Sequence, residues 1–259
     1  MSGHARQSMP EPGGGHVPYL TIRSFSSRGF ASAVADPDGS PAQHVMSRLE
    51  KTYLLLKRRD PDVVKRREQV PCYPIEETDE IARSLGIRPL RTPRGKPYMV
   101  TTDLVLRMRN GTEQAHFVRP LEMLKIRREW EKMEVEREYW TRRGLVFRVV
   151  TEAQVPEAIM VNLEVMQDNQ FPPEGFETGR HRDAGLLRLR EALDGRSDMP
   201  LSLVCRDLDI EAGMVVGSHI ALLKHFLFKR KLTTDLYTRF KGGQPYRIEG
   251  ARLVRMETG

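Results

Sequence analysis

The segment 98–120, YMVTTDLVLRMRNGTEQAHFVRP, leaves the chain little choice of local structure. Two runs of strand-forming residues flank Asn110-Gly111, a pair suited to a tight hairpin. In the first run Asp103, Val105 and Arg107 alternate with Leu104, Leu106 and Met108, a period of two. A strand buries one such set and presents the other. Asp103 is thus a carboxylate carried on a rigid strand, and Arg119 lies on the returning strand. Loop length decides which face each occupies. A two-residue turn pairs Asp103 with Val118 and sends Phe117 and Arg119 to the opposite side. A three-residue loop, with Gly111 or Thr112 as the extra residue, puts Asp103, Phe117 and Arg119 together.

An acid on one strand and a cation on its neighbour is the layout of metal-dependent nucleases, and that reading requires the odd loop. A surface hairpin with solvated Asp and Arg requires neither. The formal charge of +7 over 259 residues favours a polyanionic partner. With 39% hydrophobic and 30% charged residues the chain reads as a soluble globular protein. No apolar run approaches the length of a membrane span, and the N-terminus lacks a signal-peptide core. Cys72 and Cys205 lie far apart, without metal-ligand spacing, and read as reduced thiols. A cytoplasmic, nucleoid-associated location follows as an expectation.

Taken in order, residues 1–16 read as a disordered segment rich in Gly, Ser, Pro and His. Strands are expected at 17–25 and 30–35, with a turn at Asp36-Pro37-Asp38-Gly39. The spacing of Val45, Leu49, Tyr53 and Leu56 predicts a helix over 44–58, with Glu50 at the edge of its buried face. Residues 63–70 read as a strand. Residues 78–85 read as a short helix capped by Thr78 and stopped by Gly86. The loop 88–97 carries Arg91, Arg94 and Lys96, available for phosphate contacts. A long helix is predicted over 121–143, with Ile126, Trp130, Met133, Arg137 and Trp140 on one face and Glu136 beside it. A strand at 145–150 and a helix at 156–166 follow. This order implies a crossover onto one mixed sheet, an α/β core.

The polar stretch 169–181 reads as a linker between a domain at 17–168 and a second at 182–259. Helices are expected at 184–193, 201–208 and 216–231, the last bearing Lys224, Lys229, Arg230 and Lys231. Strands at 236–240 and 246–253 would form a wing. Such a winged-helix-like unit lays its last helix in a major groove; a helical docking domain with a basic face fits the same pattern.

The segments Leu49-Glu50, Arg67-Glu68-Gln69-Val70-Pro71, Thr101-Thr102-Asp103-Leu104, Val118-Arg119-Pro120 and 131–140, EKMEVEREYW, occur in an order and spacing that resemble TnsA. TnsA is the endonuclease subunit of heteromeric cut-and-paste transposases. The resemblance implies a restriction-endonuclease-like fold with a C-terminal winged-helix-like domain. It also implies Mg²⁺-dependent cleavage at the 5′ ends of a transposon, with a TnsB-like transposase handling the 3′ ends and a TnsC-like ATPase binding the complex. By position, Glu50 and Asp103 match the metal-binding carboxylates and the Val118 carbonyl a further ligand. Glu136 matches an additional acid tied to the site. Two Mg²⁺ ions, replaceable by Mn²⁺, are implied.

Two positions depart from the pattern: Phe117 stands where a Gln is usual, and Arg119 where the catalytic Lys is usual. A guanidinium can hold phosphate bidentately but cannot shed a proton as a base. Lys96 or Lys125 would have to substitute if an amine were needed. Three readings compete on the sequence: an active nuclease, an impaired subunit bridging transposase and ATPase, and a winged-helix DNA-binding regulator.

Overall fold

The computed structural model describes residues 18–21, 32–35, 42–195, 199–232 and 234–237. The expected disordered segment 1–16 and the turn at Asp36–Gly39 lie outside them, as do most of the strand expected at 17–25 and nearly all of the wing. The described part of 17–25, residues 18–21, is not strand, and neither are Leu236 and Tyr237.

In the first unit the period-two hairpin is the centre of a four-stranded sheet of order β3-β4-β5-β6: β3 (Val63–Pro71), β4 (Thr101–Met108), β5 (Glu113–Val118) and β6 (Val146–Val150). The first three are antiparallel, and β6 joins β5 in parallel. A parallel neighbour needs a crossover, and α3 (Arg127–Arg142) supplies it. The mixed α/β sheet expected from the sequence is therefore present. A two-stranded ribbon, β1 (Ser32–Val34) with β2 (Gln43–Val45), precedes it.

The hairpin loop is odd. Arg107 pairs with Glu113 and Leu104 with His116. Met108 N–H donates to Thr112 O at 2.8 Å, enclosing Arg109, Asn110 and Gly111. Gly111 takes φ +83°, a left-handed conformation that glycine adopts without a Cβ penalty. The third loop residue is Arg109 rather than Thr112, but the parity is the one that keeps Asp103, Phe117 and Arg119 on a common side.

Helices cover both faces. Ala115 and Val105 face α2 (Ile75–Ser84) and α3 in a cluster with Ile81, Val135 and Trp140. His116, one residue on and so pointing the other way, meets Tyr53 of α1 (Arg48–Arg58). Three helix predictions need correction. Residues 44–45 belong to β2, and α1 starts after Ser47, whose hydroxyl accepts from Glu50 N–H at 3.0 Å. α2 starts after Pro74, so Thr78 is internal, its hydroxyl donating to Ile75 O. The long helix is interrupted: Leu121–Lys125 is a 3₁₀ turn, and Ile126 has extended backbone. The buried face of α3 is Glu131, Met133, Val135, Glu136, Tyr139 and Trp140; Ile126 lies ahead of the helix, Ile126 and Trp130 are about half exposed, and Arg137 is exposed too.

The chain divides after Val155, ahead of the stretch 169–181 expected as a linker. The second unit holds α4 (Glu157–Gln167), α5 (Gly179–Gly195), α6 (Leu201–Glu211) and α7 (Ser218–Phe228). Residue 176 within the expected linker is a buried Phe, its ring edge-on to His219. The helix expected to lie in a major groove is the buried centre of this unit. Of α7's eleven residues seven are buried, including Leu222, Leu223, Phe226 and Leu227, and none is exposed. Its long apolar run, flanked by basic residues, was a core signal. Lys224 is half-buried on it, and Lys229, Arg230 and Lys231 follow its end, exposed.

Fully buried Asp209 starts α7: Oδ1 accepts from His219 N–H at 2.8 Å and Oδ2 from Gly217 N–H at 2.7 Å. These bonds satisfy donors that a helix start leaves open. Asp209→Ala is expected to destabilise α7 locally by about 2 kcal/mol, read as roughly thirtyfold faster hydrogen exchange of its amides.

Candidate active site

The site forms where β4 and β5 part. Past the Leu104–His116 pair, the Asp103 side chain takes over from the backbone ladder, its Oδ2 accepting Val118 N–H at 2.8 Å. That bond fixes the carboxylate's direction. Opposite it, Glu50 occupies the third position of α1, in the sequence Ser47-Arg48-Leu49-Glu50. Ser47 and Glu50 form a reciprocal cap. Besides the backbone bond to Ser47, Glu50 Oε1 accepts from the Ser47 hydroxyl at 3.1 Å and Oε2 from Met46 N–H at 2.9 Å. The S-x-x-E signature was present in the sequence and would have placed both the start of α1 and the inward turn of Glu50.

The structure brings Glu50, Asp103, Val118 and Arg119 together. Arg119 Nη1 lies 2.8 Å from Asp103 Oδ2, 2.8 Å from Val118 O and 3.6 Å from Glu50 Oε1. Its Nε is 3.9 Å from Glu129 Oε2. Phe117, only 2% exposed, lies beneath the guanidinium, 4.8 Å from ring centroid to Cζ. Glu136 is nearby and 1% exposed; one carboxyl oxygen has no hydrogen-bond partner among the described residues. Thr102 hydrogen-bonds that carboxyl and also accepts from Trp140 Nε1 at 2.6 Å.

Electrostatics follow from three buried acids around one cation. Burial, then the charge on Asp103, raises Glu50 to about 7 against the opposing pull of Arg119. Burial and Asp103 also push Glu136 well above the ordinary carboxylate range, which favours its protonated form. For Arg119, burial favours the neutral form, but Asp103 and Glu50 outweigh it and keep the guanidinium charged.

Glu68 and Gln69, to which the sequence assigned no role, complete the surroundings. Glu50, Glu68 and Asp103 line one small cavity with Tyr53, Leu104 and Val118. Gln69 holds φ +48°, uncommon for a non-glycine residue. Its amide bridges Glu50 Oε2 at 3.5 Å and Thr101 Oγ1 at 3.3 Å. No periodicity announces such a backbone. The expected loop contacts are dispersed. Arg91 is bound at both ends of its fork by Asp79, each bond 2.8 Å. Arg94 and Lys96 stay exposed. Lys96 lies on a turn closed by Thr92, and Lys125 pairs with Glu122, so neither is drawn into the acid cluster.

Among the described residues no three His, Cys, Asp or Glu side chains form a metal cage. The donors that do converge are two carboxylates and one carbonyl, the oxygen set suited to Mg²⁺, which fills its remaining positions with water and phosphate. That all three point at one cationic nitrogen shows that they share a position at which positive charge is stabilised.

Residues 60–152 match the family model described as TnsA-like endonuclease N terminal. The chain is 25% identical over 259 residues to the Transposon Tn7 transposition protein TnsA of Escherichia coli, covering 98% of this chain and 93% of that one. Both agree with the resemblance read from the sequence. Among the described residues no helix is long and apolar enough to cross a membrane.

The contact between Tyr53 Oη and His116 Nδ1, 2.6 Å, ties α1 and hence Glu50 to β5. Burial, then Lys57 and Arg148, lowers His116 to about 3. The folded imidazole therefore takes its proton only near pH 3, whereas the unfolded one does so near 6.5. Acid thus favours the unfolded chain, and stability falls as pH drops from about 6.5 toward 3. His116→Gln is expected to flatten that limb of the pH–stability curve, measured by urea unfolding at fixed pH values in a chelator.

Proposed function

We propose, for a chain that is TnsA-like along its length, that it is the metal-dependent DNA endonuclease subunit of a transposase, cutting at the 5′ ends of the element. The observation that carries this reading is the convergence of Asp103, Glu50 and the Val118 carbonyl on one cation position. Glu50, Asp103 and Val118 would hold Mg²⁺, with Mn²⁺ as a substitute and two ions as the full complement. When bound, the metal supplies Lewis acidity, making water nucleophilic at neutral pH and offsetting charge on the scissile phosphate.

The chain's own residues do the rest. Asp103 is aimed by Val118 N–H, and Glu50 by the cap of α1, so the carboxylates are positioned before substrate arrives. Arg119 offers a planar fork to a phosphate and stabilises charge that builds on it. It remains protonated throughout, so it serves as an electrostatic group and not as a base. Glu136, buried and shifted toward its protonated form, adds less negative charge than an exposed carboxylate would to a site that must accept a polyanion. Partners are transposon-end DNA, a TnsB-like transposase acting at the 3′ ends and a TnsC-like ATPase, in the cytoplasm and at the nucleoid. Arg94, Lys96, Lys229 and Lys231 are exposed cations available to the DNA backbone, and Arg230 is exposed beside them; Arg91 and Lys224 contribute less.

A second reading, an impaired subunit that bridges transposase and ATPase, is favoured by Phe117 and Arg119 occupying the usual Gln and Lys positions. The regulator reading lost its main support when α7 proved to be a core helix.

The test is 5′-end nicking with Mg²⁺ and the purified partner transposase. Asp103→Ala is expected to lower the rate by about 10³-fold or more; unchanged cleavage would remove the nuclease assignment. Arg119→Lys within about tenfold of the parent supports a competent site, whereas a larger gain supports the impaired subunit. DNA affinity should fall steeply with salt, and a flat response would assign the basic surface to a protein partner.

A further inference from the structure

One nitrogen sits where three oxygen donors meet. Arg119 Nη1 donates to Asp103 Oδ2 and to the Val118 carbonyl, each at 2.8 Å, and lies 3.6 Å from Glu50 Oε1. Those are the three groups assigned above to a divalent ion. A guanidinium N–H and a metal ion ask for the same lone pairs, and two positive centres at that spacing repel. Both cannot hold the position together.

The guanidinium is also held from directions that have no part in ligating a metal. Its Nε faces Glu129, and its plane lies over the Phe117 ring at 4.8 Å. Phe117 is buried in the sheet, so this platform is rigid. An aromatic face attracts a cation, a guanidinium above all. A Gln in its place would offer an oxygen to a metal, and Phe offers a seat to an arginine. Likewise a lysine brings one compact ammonium, while the arginine fork reaches several acceptors at once. The two departures from the family pattern thus act as one unit. Arg119 still has a way out, since a quarter of its side chain is exposed.

We propose that Arg119, seated on Phe117, is a built-in competitor for the metal position: in the free protein it neutralises Glu50 and Asp103 from within, and a divalent ion enters only as the guanidinium moves off. The proposal rests on the metal-nuclease reading above. Its thermodynamic signature is a metal affinity reduced by the small fraction of molecules in which the position is open.

The experiment titrates Mn²⁺ into the full chain without DNA, counting free ion by electron paramagnetic resonance. Arg119→Met keeps the apolar stem but has neither the charge nor an oxygen to lend a metal. It is expected to bind Mn²⁺ at least about tenfold tighter than the parent. Adding Asp103→Asn to it should abolish that binding. Lys132→Met is the control for charge alone: Lys132 pairs with Glu129 at 2.9 Å and touches none of the three donors. It should shift affinity by no more than about threefold, the effect of a partly exposed charge. Asp103-dependent binding with no gain in Arg119→Met, or an equal gain in Lys132→Met, overturns the competition and leaves the metal site standing. No saturable binding by folded Arg119→Met overturns the metal reading too. If circular dichroism shows Arg119→Met unfolded, Phe117→Leu replaces it. Loss of the ring should tighten Mn²⁺ binding by about threefold or more, and no change overturns the proposal.

Discussion

The ion pair between Arg119 and Asp103 is the contact on which the first unit's centre depends. Asp103, Glu50 and Glu136 are all at least nine-tenths buried, and an uncompensated buried carboxylate is costly. The fold meets that cost in three ways. Asp103 receives a backbone N–H and the guanidinium. Glu50 receives the donors at the start of α1 and is raised to about 7. Burial shifts Glu136 toward its protonated form. Each arrangement is local, and together they let three acids act on a single strong cation. A site that collects negative charge is what a nuclease needs to attract a divalent ion, so the same feature that strains folding equips the chain for its proposed chemistry.

Glu50 shows how structure and chemistry are coupled here. Its carboxylate completes the cap of α1 while facing Asp103, so the helix start and the site are one construction. The Tyr53–His116 contact, one turn along, keeps that helix against β5. Gln69, in a backbone conformation that few non-glycine residues adopt, ties β3 to the same carboxylate. A change at any of these positions therefore reaches the site without touching a reacting group.

Much of this was legible beforehand. The period-two hairpin, the crossover helix and the parallel return strand follow from pattern and order, and the structure has all three. Errors cluster where local signals compete. Thr78 looked like a cap, yet Pro74 lies one turn earlier and can start a helix because proline's missing N–H is not needed there. Ile126 and Trp130 continue the apolar stripe of Met133 and Trp140, but Ile126 has extended backbone ahead of α3, and Trp130, in the first turn of α3, is about half exposed. The segment 216–231 looked like a recognition helix; its helical part, Ser218–Phe228, is a core helix, with Lys224 half-buried on it and Lys229, Arg230 and Lys231 beyond its end.

What the sequence determined by itself was the order of strands and helices over 63–150, the separate positions of Glu50, Asp103 and Arg119, and the two departures at Phe117 and Arg119. Periodicity and residue type carry that information because they act over a few residues. Only the tertiary structure decided that the Arg119 guanidinium rests on Phe117 at the meeting point of three oxygens, and that Glu136 is buried nearby. Those outcomes depend on where β4 and β5 part and how α1 and α3 pack on opposite faces. They are set by burial and by distances between groups far apart in the chain, which no short-range pattern encodes.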